Sequence, residues 1–409
     1  MPLHVERRRR VIAPTISKRR STLTAVAIAV VFFSTEQLGR IPRPFHTSSL
    51  TGALWLDELL CGHPDRIHQQ LGMSAMMFLL LAAELVQLGG LENSKWVSAQ
   101  EKLAIFVYWL VHGSSQRELC ERFQRSGSTI SIYLNQLLEL FTDDFYDKYV
   151  HDPPNVCPDK IKSNPKWYPY FRLCRGATDG VHVPAHCSAD DIPRYRDRKG
   201  NVTQNVLATC DFDLVFVHVM AGYEGTAADG QLYDRARVDG FSLPGRCFFL
   251  GDAGFASCDL IMPPYRGVRY HLKEWKRGKQ RPQNAEELFN LRHAQLRSAI
   301  ERGFGVTKRR FKLLISRPEV GYRQQALMVH AACAVHNFLR LHEPINELEE
   351  DEEYDVEGHG YLRAALEEQE ERAVLPPTNN AEKARADARR DHIAAAMWAD
   401  YIIEHPDLA

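Results

Sequence analysis

No two of the nine cysteines stand as a CxxC pair, and their number is odd. A zinc ribbon needs that paired ligand spacing, so the pattern argues against one. Dispersed cysteines without a secretory leader point to reduced thiols and an intracellular address. Long apolar runs are also missing at the N-terminus. The segment Leu23 to Phe33 has eleven residues, whereas a membrane-spanning helix needs roughly 20. Basic residues Arg7 to Arg10 and Lys18 to Arg20 precede it, as in a signal peptide, but no A-x-A cleavage site follows where the chain turns polar at Ser34. It reads as a docked helix behind a basic tail, and the same cations suit nuclear import. No membrane association is expected. Charge of one sign is not in excess either: 51 Lys and Arg meet 52 Asp and Glu, for a net charge of -1. No internal repeat is found, which excludes a solenoid.

The cancelled total hides a polar charge map. Residues 266 to 312 hold 14 Lys or Arg against 4 Glu, while residues 347 to 372 hold 12 acids against 2 Arg. With 44% apolar and 25% charged residues in 409, the chain has the composition of a globular protein of two or three domains. Met73 to Leu88 is apolar nearly all round and predicts a buried helix. Ser98 with Glu101 forms a capping box before a helix that should run to about Val111, where Gly113 ends it. Ser115 should start a short helix to Phe123, and Ser128 or its neighbour a third, to Phe141. Three helices with a glycine-containing turn before the last suit a helix-turn-helix. Ser128, Thr129, Ser131, Asn135 and Gln136 could read bases there. Arg122 and Arg125 are the only cations nearby, so a plain helical bundle stays open.

After a Pro-rich linker, Pro153 to Tyr170, short β-rich runs follow: Phe171 to Thr178, Asn205 to Cys210, Leu214 to Ala221 and Cys247 to Leu250. Helical periodicity returns from Pro282 to Phe311 and again over Tyr322 to Leu341. Strands first and helices later suggest an α/β layer fold. The acidic stretch after Glu347 reads as disordered, and a last helix is expected over Asn380 to Ile403.

Three acids sit where a metal site would want them. Asp179 follows one apolar strand in GATDGVHV, Asp252 follows another in RCFFLGDAGF, and Glu301 lies at the edge of the apolar stripe Leu296, Ile300, Phe304 and Phe311. Arg297 and Lys308 flank it at offsets of four and seven. Strand-end acids beside glycine project into clefts, and a buried carboxylate without a partner costs several kcal/mol. Carboxylate clusters of this kind host Mg²⁺ or Mn²⁺. His182 and His186 read as structural or solvated, His336 and Asn337 as core hydrogen-bonding groups, and Asp190, Asp191 and Asp197 as loop acids. The cations Lys273, Lys276, Arg277, Lys279 and Arg281 could bind phosphate or merely solubilise a loop.

The runs GATDGVHVP, RKGNVTQNVLATCDFD, AGYEGTAADGQLYDRA, GDAGF, PYRGVRYHLKEW and RPQNAEELFNLRHAQLRSAIERGFGVTKRRF, in that order, resemble the PIF/Harbinger-type DDE transposases and the nucleases derived from them. The resemblance covers about Cys174 to Arg340, and more loosely Leu59 to Phe141. It implies an RNase H-like DDE domain at residues 171–342, preceded by a helix-turn-helix-like domain at 51–150. Residues 1–50 would then be a basic tail with an apolar segment, and 343–409 an acidic tail with a terminal helix. It also implies a divalent-metal triad of Asp179, Asp252 and Glu301. Arg297 would orient Glu301 or neutralise charge near it, and Arg297, Lys308, Lys273, Lys276 and Arg277 would contact DNA. Expected partners are DNA, a Myb-like DNA-binding protein and a second copy of the chain, and the expected address is the nucleus, with the cytoplasm as a further site. The chain departs from the family at GTAAD, where Thr226 and Ala228 replace the Ser and His of a G-S-x-H-D motif, and at Phe255, which replaces a Tyr. These departures leave open a second reading, a catalytically silent DNA-binding protein. Residues 344 to 409 would be docking segments, removable without loss of the fold.

Overall fold

The computed structural model describes residues 24–28, 44–270, 272, 281–343 and 379–406. It separates into two units, Met1–Ser48 and Ser49–Ala409. In the first, residues 24–28 are helical and exposed. The expected acidic disorder after Glu347 and the basic residues Lys273, Lys276, Arg277 and Lys279 lie outside the described residues. Among the described residues no single helix is long and apolar enough to cross a membrane.

The second unit starts with helices α1 (Gly52–Cys61), α2 (Pro64–Leu71), α3 (Ala75–Gln87), α4 (Ala99–His112), α5 (Gln116–Phe123), α6 (Gly127–Phe141) and α7 (Asp144–Tyr149). Local chemistry sets their ends. Ser98 Oγ accepts the Glu101 N–H at 3.1 Å, and Gly113 closes α4 in the left-handed conformation. Ser115 and Glu118 form a reciprocal capping box on α5. The third helix starts at Gly127, the neighbour of Ser128, and Ser126 caps it by accepting the Thr129 N–H. Arg122 and Arg125 are both engaged within the protein, while Arg117 of α5 is exposed. Arg125 is bidentate to the buried Glu101 at 3.0 and 2.9 Å, and Arg122 lies over the Trp55 ring. The outward positions of α6 are Ser128, Ile132, Asn135 and Glu139, which carry no cation.

A five-stranded mixed sheet follows, built from β1 (Cys174–Pro184), β2 (Thr203–Cys210), β3 (Phe216–Glu224), β4 (Phe248–Leu250) and β5 (Ile261–Met262), in the order β3-β2-β1-β4-β5. The first three strands are antiparallel, while β4 and β5 run parallel to β1. β1 extends six residues past its expected end at Thr178. Asp-Gly signals a turn in isolation, but here Asp179 and Gly180 pair with Ala208 and Leu207 in a buried ladder. β5, with two residues, is too short to show a period.

Helix α8 (Asp229–Val238) covers one face of the sheet; α9 (Ala285–Arg310) and α10 (Tyr322–His342) cover the other. Alternation along β4 shows the two layers. Phe248 and Leu250 enter the large core, and Phe249 enters the smaller one with Leu232, Tyr233 and Ala236 of α8. The large core is continuous with the N-terminal helices through Phe106, Phe141 and Phe145. His336 and Asn337 make the expected core hydrogen bonds. Asn337 Oδ1 accepts the Phe216 N–H at 2.8 Å, and its amide donates to the Tyr149 and Phe216 carbonyls.

The last helix, α11 (Asn380–Glu404), expected as a docking segment, is packed against the rest of the unit. It packs along α9, with Ala386, Ile393, Ala394 and Met397 buried. Arg389 sits over Phe248 and donates to the Asp259 carbonyl at 2.8 Å, while Tyr170 and Tyr265 donate to Asp400 and Asp391.

Candidate active site

β1 and β4 are parallel neighbours, and Ala177 lies opposite Leu250. Two residues beyond this pair come Asp179 on β1 and Asp252 past the end of β4. The alternation of side chains places both on the face covered by α9, and neighbouring strands are only about 4.8 Å apart. Asp179 therefore lies within its strand rather than after it, a correction to the sequence reading, while Asp252 does follow its strand. Glu301, the third expected acid, comes from α9.

Arg297 ties these elements together. Its Nη1 donates to Asp179 Oδ2 at 2.9 Å, its Nη2 donates to Glu301 Oε1 one helical turn away, and its Nε donates to the Tyr270 hydroxyl at 2.7 Å. Arg297 is only 5% exposed. Burial alone would depress its pKa, but Tyr270, Glu301, Asp179 and Asp252 together raise it well above the ordinary value. It stays charged. Removing one member of such a buried pair typically costs about 3–5 kcal/mol, because a charge is left uncompensated.

Asp252 is 1% exposed. Its Oδ1 accepts the Gly254 N–H at 3.0 Å, and its Oδ2 has no hydrogen-bond partner among the described residues. Burial first, and then the charge of Asp179, raise its pKa, while Arg297 pulls it back. A buried carboxylate oxygen without a donor is a place for a cation. Among the described residues no group of three or more His, Cys, Asp or Glu is already gathered around one ion position. The donor chemistry is nevertheless of the kind a hard divalent ion takes, since Arg297 joins the Asp179 and Glu301 carboxylates and Asp252 keeps a buried Oδ2 without a hydrogen-bond partner among the described residues.

Of the other expected site residues, Lys308 is 6% exposed and its Nζ donates to the His182 carbonyl at 3.2 Å. Burial pushes its pKa down to about 8. His182 Nδ1 pairs with Thr203 Oγ1 at 2.9 Å, and the backbone of His186 is held by Gln325. Sequence reasoning missed Tyr270 and Asp229. Tyr270 is one aromatic in a basic loop, with no periodicity to mark it. Asp229 was visible only as part of an altered motif.

Residues 178–337 match the family model described as DDE superfamily endonuclease. Residues 47–143 match a domain of unknown function, DUF8040. No curated protein and no solved structure matches the chain.

Proposed function

We propose that this protein is a divalent-metal-dependent DNA endonuclease of the PIF/Harbinger transposase or transposase-derived type, with Asp179, Asp252 and Glu301 as metal ligands. The observation that carries the reading is a pair of acids, Asp179 on β1 and Asp252 just past the end of the parallel neighbour β4. The second has a buried oxygen lacking a hydrogen-bond partner among the described residues, and the first is joined to the helical Glu301 through Arg297. The match over residues 178–337 points the same way. The order β3-β2-β1-β4-β5, three antiparallel strands followed by two parallel ones, supports an RNase H-like fold.

When bound, Mg²⁺ or Mn²⁺ supplies an acidified water and countercharge for the leaving oxygen of a phosphodiester. The chain does the positioning. Arg297 holds Asp179 and Glu301 in one orientation, and Tyr270 fixes the plane of its guanidinium. For Lys308 to meet a substrate phosphate, its ammonium has to exchange the His182 carbonyl for a phosphate oxygen. With Arg122 and Arg125 engaged within the protein and no cation on the outward face of α6, that helix offers little phosphate affinity of its own. That supports recruitment to DNA by a separate Myb-like protein in the nucleus, with the basic segment around Lys273, Lys276 and Arg277 contributing phosphate contacts.

A second reading, a catalytically silent DNA-binding protein, draws on Arg297 bridging two of the three acids. Supercoiled plasmid incubated with Mg²⁺ or Mn²⁺ separates the two. The wild type is expected to nick it, while Asp252→Asn and Glu301→Gln lose at least about a hundredfold in rate, the loss of a metal ligand being at least as severe as that of an outer-shell partner. Nicking that survives in both variants removes the triad. No nicking by the wild type, even with a DNA-binding partner, selects the silent reading.

A further inference from the structure

Asp229 is the first residue of α8, on the sheet face opposite the three acids, and is 4% exposed. Its carboxylate occupies the space that a side chain at position 180 would need. A Cβ added to Gly180 would fall 2.1 Å from Asp229 Oδ1 and 2.5 Å from Oδ2. Asn205 of β2 donates to the same Oδ1 at 2.8 Å, and to the Ala227 carbonyl at 2.8 Å. Asp229 is thus wedged against β1 and tied to β2. Gly180 in turn donates its N–H to Asp179 Oδ1 at 2.9 Å, while Arg297 holds the other oxygen.

We propose that Asp229 is a positioning residue for the metal site, bracing from behind the Gly180 peptide whose N–H aims Asp179. This rests on the endonuclease reading above. The chemistry suits an aspartate. A carboxylate fills the slot left by glycine, accepts from Asn205, and sits at a helix N-terminus, where negative charge is favoured. The altered residues of GTAAD do not touch the brace. Ala228 is an N-cap without a side-chain bond, and Thr226 Oγ1 donates to the Arg194 carbonyl. Partners behind a metal ligand typically govern affinity by about 10–100-fold.

The test is Mn²⁺ titration of the full chain, read by electron paramagnetic resonance of the free ion and normalised to the folded fraction from circular dichroism. Asp252→Asn is the control and should lose binding. Asp229→Ala and Gly180→Ala should each weaken it by about tenfold or more. Asp229→Asn should bind close to wild type, because its amide oxygen still accepts from Asn205. The double variant Gly180→Ala with Asp229→Ala should bind no more weakly than Gly180→Ala alone, since removing the carboxylate makes room for the new Cβ. Should Asp229→Ala fail to fold, Gly180→Ala and Asp229→Asn carry the test. Wild-type affinity in Gly180→Ala and Asp229→Ala, with binding lost in Asp252→Asn, overturns the brace and leaves the metal site standing. So does an Asp229→Asn variant that binds as weakly as Gly180→Ala. A wild type that binds no Mn²⁺, or an Asp252→Asn variant that binds it normally, overturns the metal-site reading and the brace with it.

Discussion

At the scale of single residues, Lys308 shows how a charge can sit in the core at a measurable cost. Its ammonium is buried and faces a backbone carbonyl. Burial lowers its pKa from 10.5 to about 8. The sign follows from proton linkage. Between those two values the unfolded chain binds more protons than the folded one, so stability rises with pH across that window. Below about pH 8 the full cost of burying the charge is present. Lys308→Met should therefore raise stability at pH 7 by about 2–3 kcal/mol, and the gain should shrink as pH climbs toward 10.5. Urea denaturation at several pH values measures this, and a gain independent of pH would show that charge burial is not its source. Arg297 is the contrasting case, a buried cation compensated on three sides.

At the scale of elements, α11 decides whether the C-terminal segment is an appendage. Asn379 caps it by accepting the Glu382 N–H, and its apolar face recurs at Ala386, Ile393, Ala394 and Met397. All four are buried, while Arg385 and Arg389 bind the Asp259 loop beyond β4. Burying Ile393 and Met397 alone is worth about 3–6 kcal/mol. That is comparable with the whole net stability of a typical domain, about 5–15 kcal/mol. Deleting residues 379–409 is thus expected to lower the melting temperature sharply or to prevent folding, as measured by thermal circular dichroism. A truncated chain with an unchanged melting temperature would return α11 to the status of a docking segment. The amphipathic period of this helix was plain in the sequence. Its partner was not, because a stripe of alanine, isoleucine and methionine fits an internal groove and a foreign one equally well.

At the scale of the whole molecule, the large core runs without interruption from the N-terminal helices to the sheet. Phe145 and Tyr149 of α7 meet Phe338 of α10, and Asn337 joins the Tyr149 carbonyl to the backbone of β3. Residues 47–143 and 178–337 match separate family models, yet Ser49–Ala409 forms one compact unit. Calorimetry is expected to show a single cooperative transition for that unit, with equal calorimetric and van't Hoff enthalpies. Two resolved transitions would mean that the helices and the sheet fold independently despite the shared core.

Local chemistry alone determined a good part of this protein. Serine caps, the Gly113 stop and the 3.6-residue apolar period placed α4, α5, α10 and α11 to within a residue or so and α9 to within three, because those signals act within one or two turns. The same locality marked Asp252 behind its strand and Glu301 at the edge of its apolar stripe. Tertiary structure decided the rest. It turned the Asp-Gly of β1 from a turn into mid-strand, since ladder pairing with β2 outweighs a dipeptide's own preference. It also assigned Tyr270 to Arg297 and set Asp229 against Gly180, pairs 27 and 49 residues apart. Contacts at such separations depend on the sheet order and on which face each side chain takes, and neither is encoded in any short stretch of sequence.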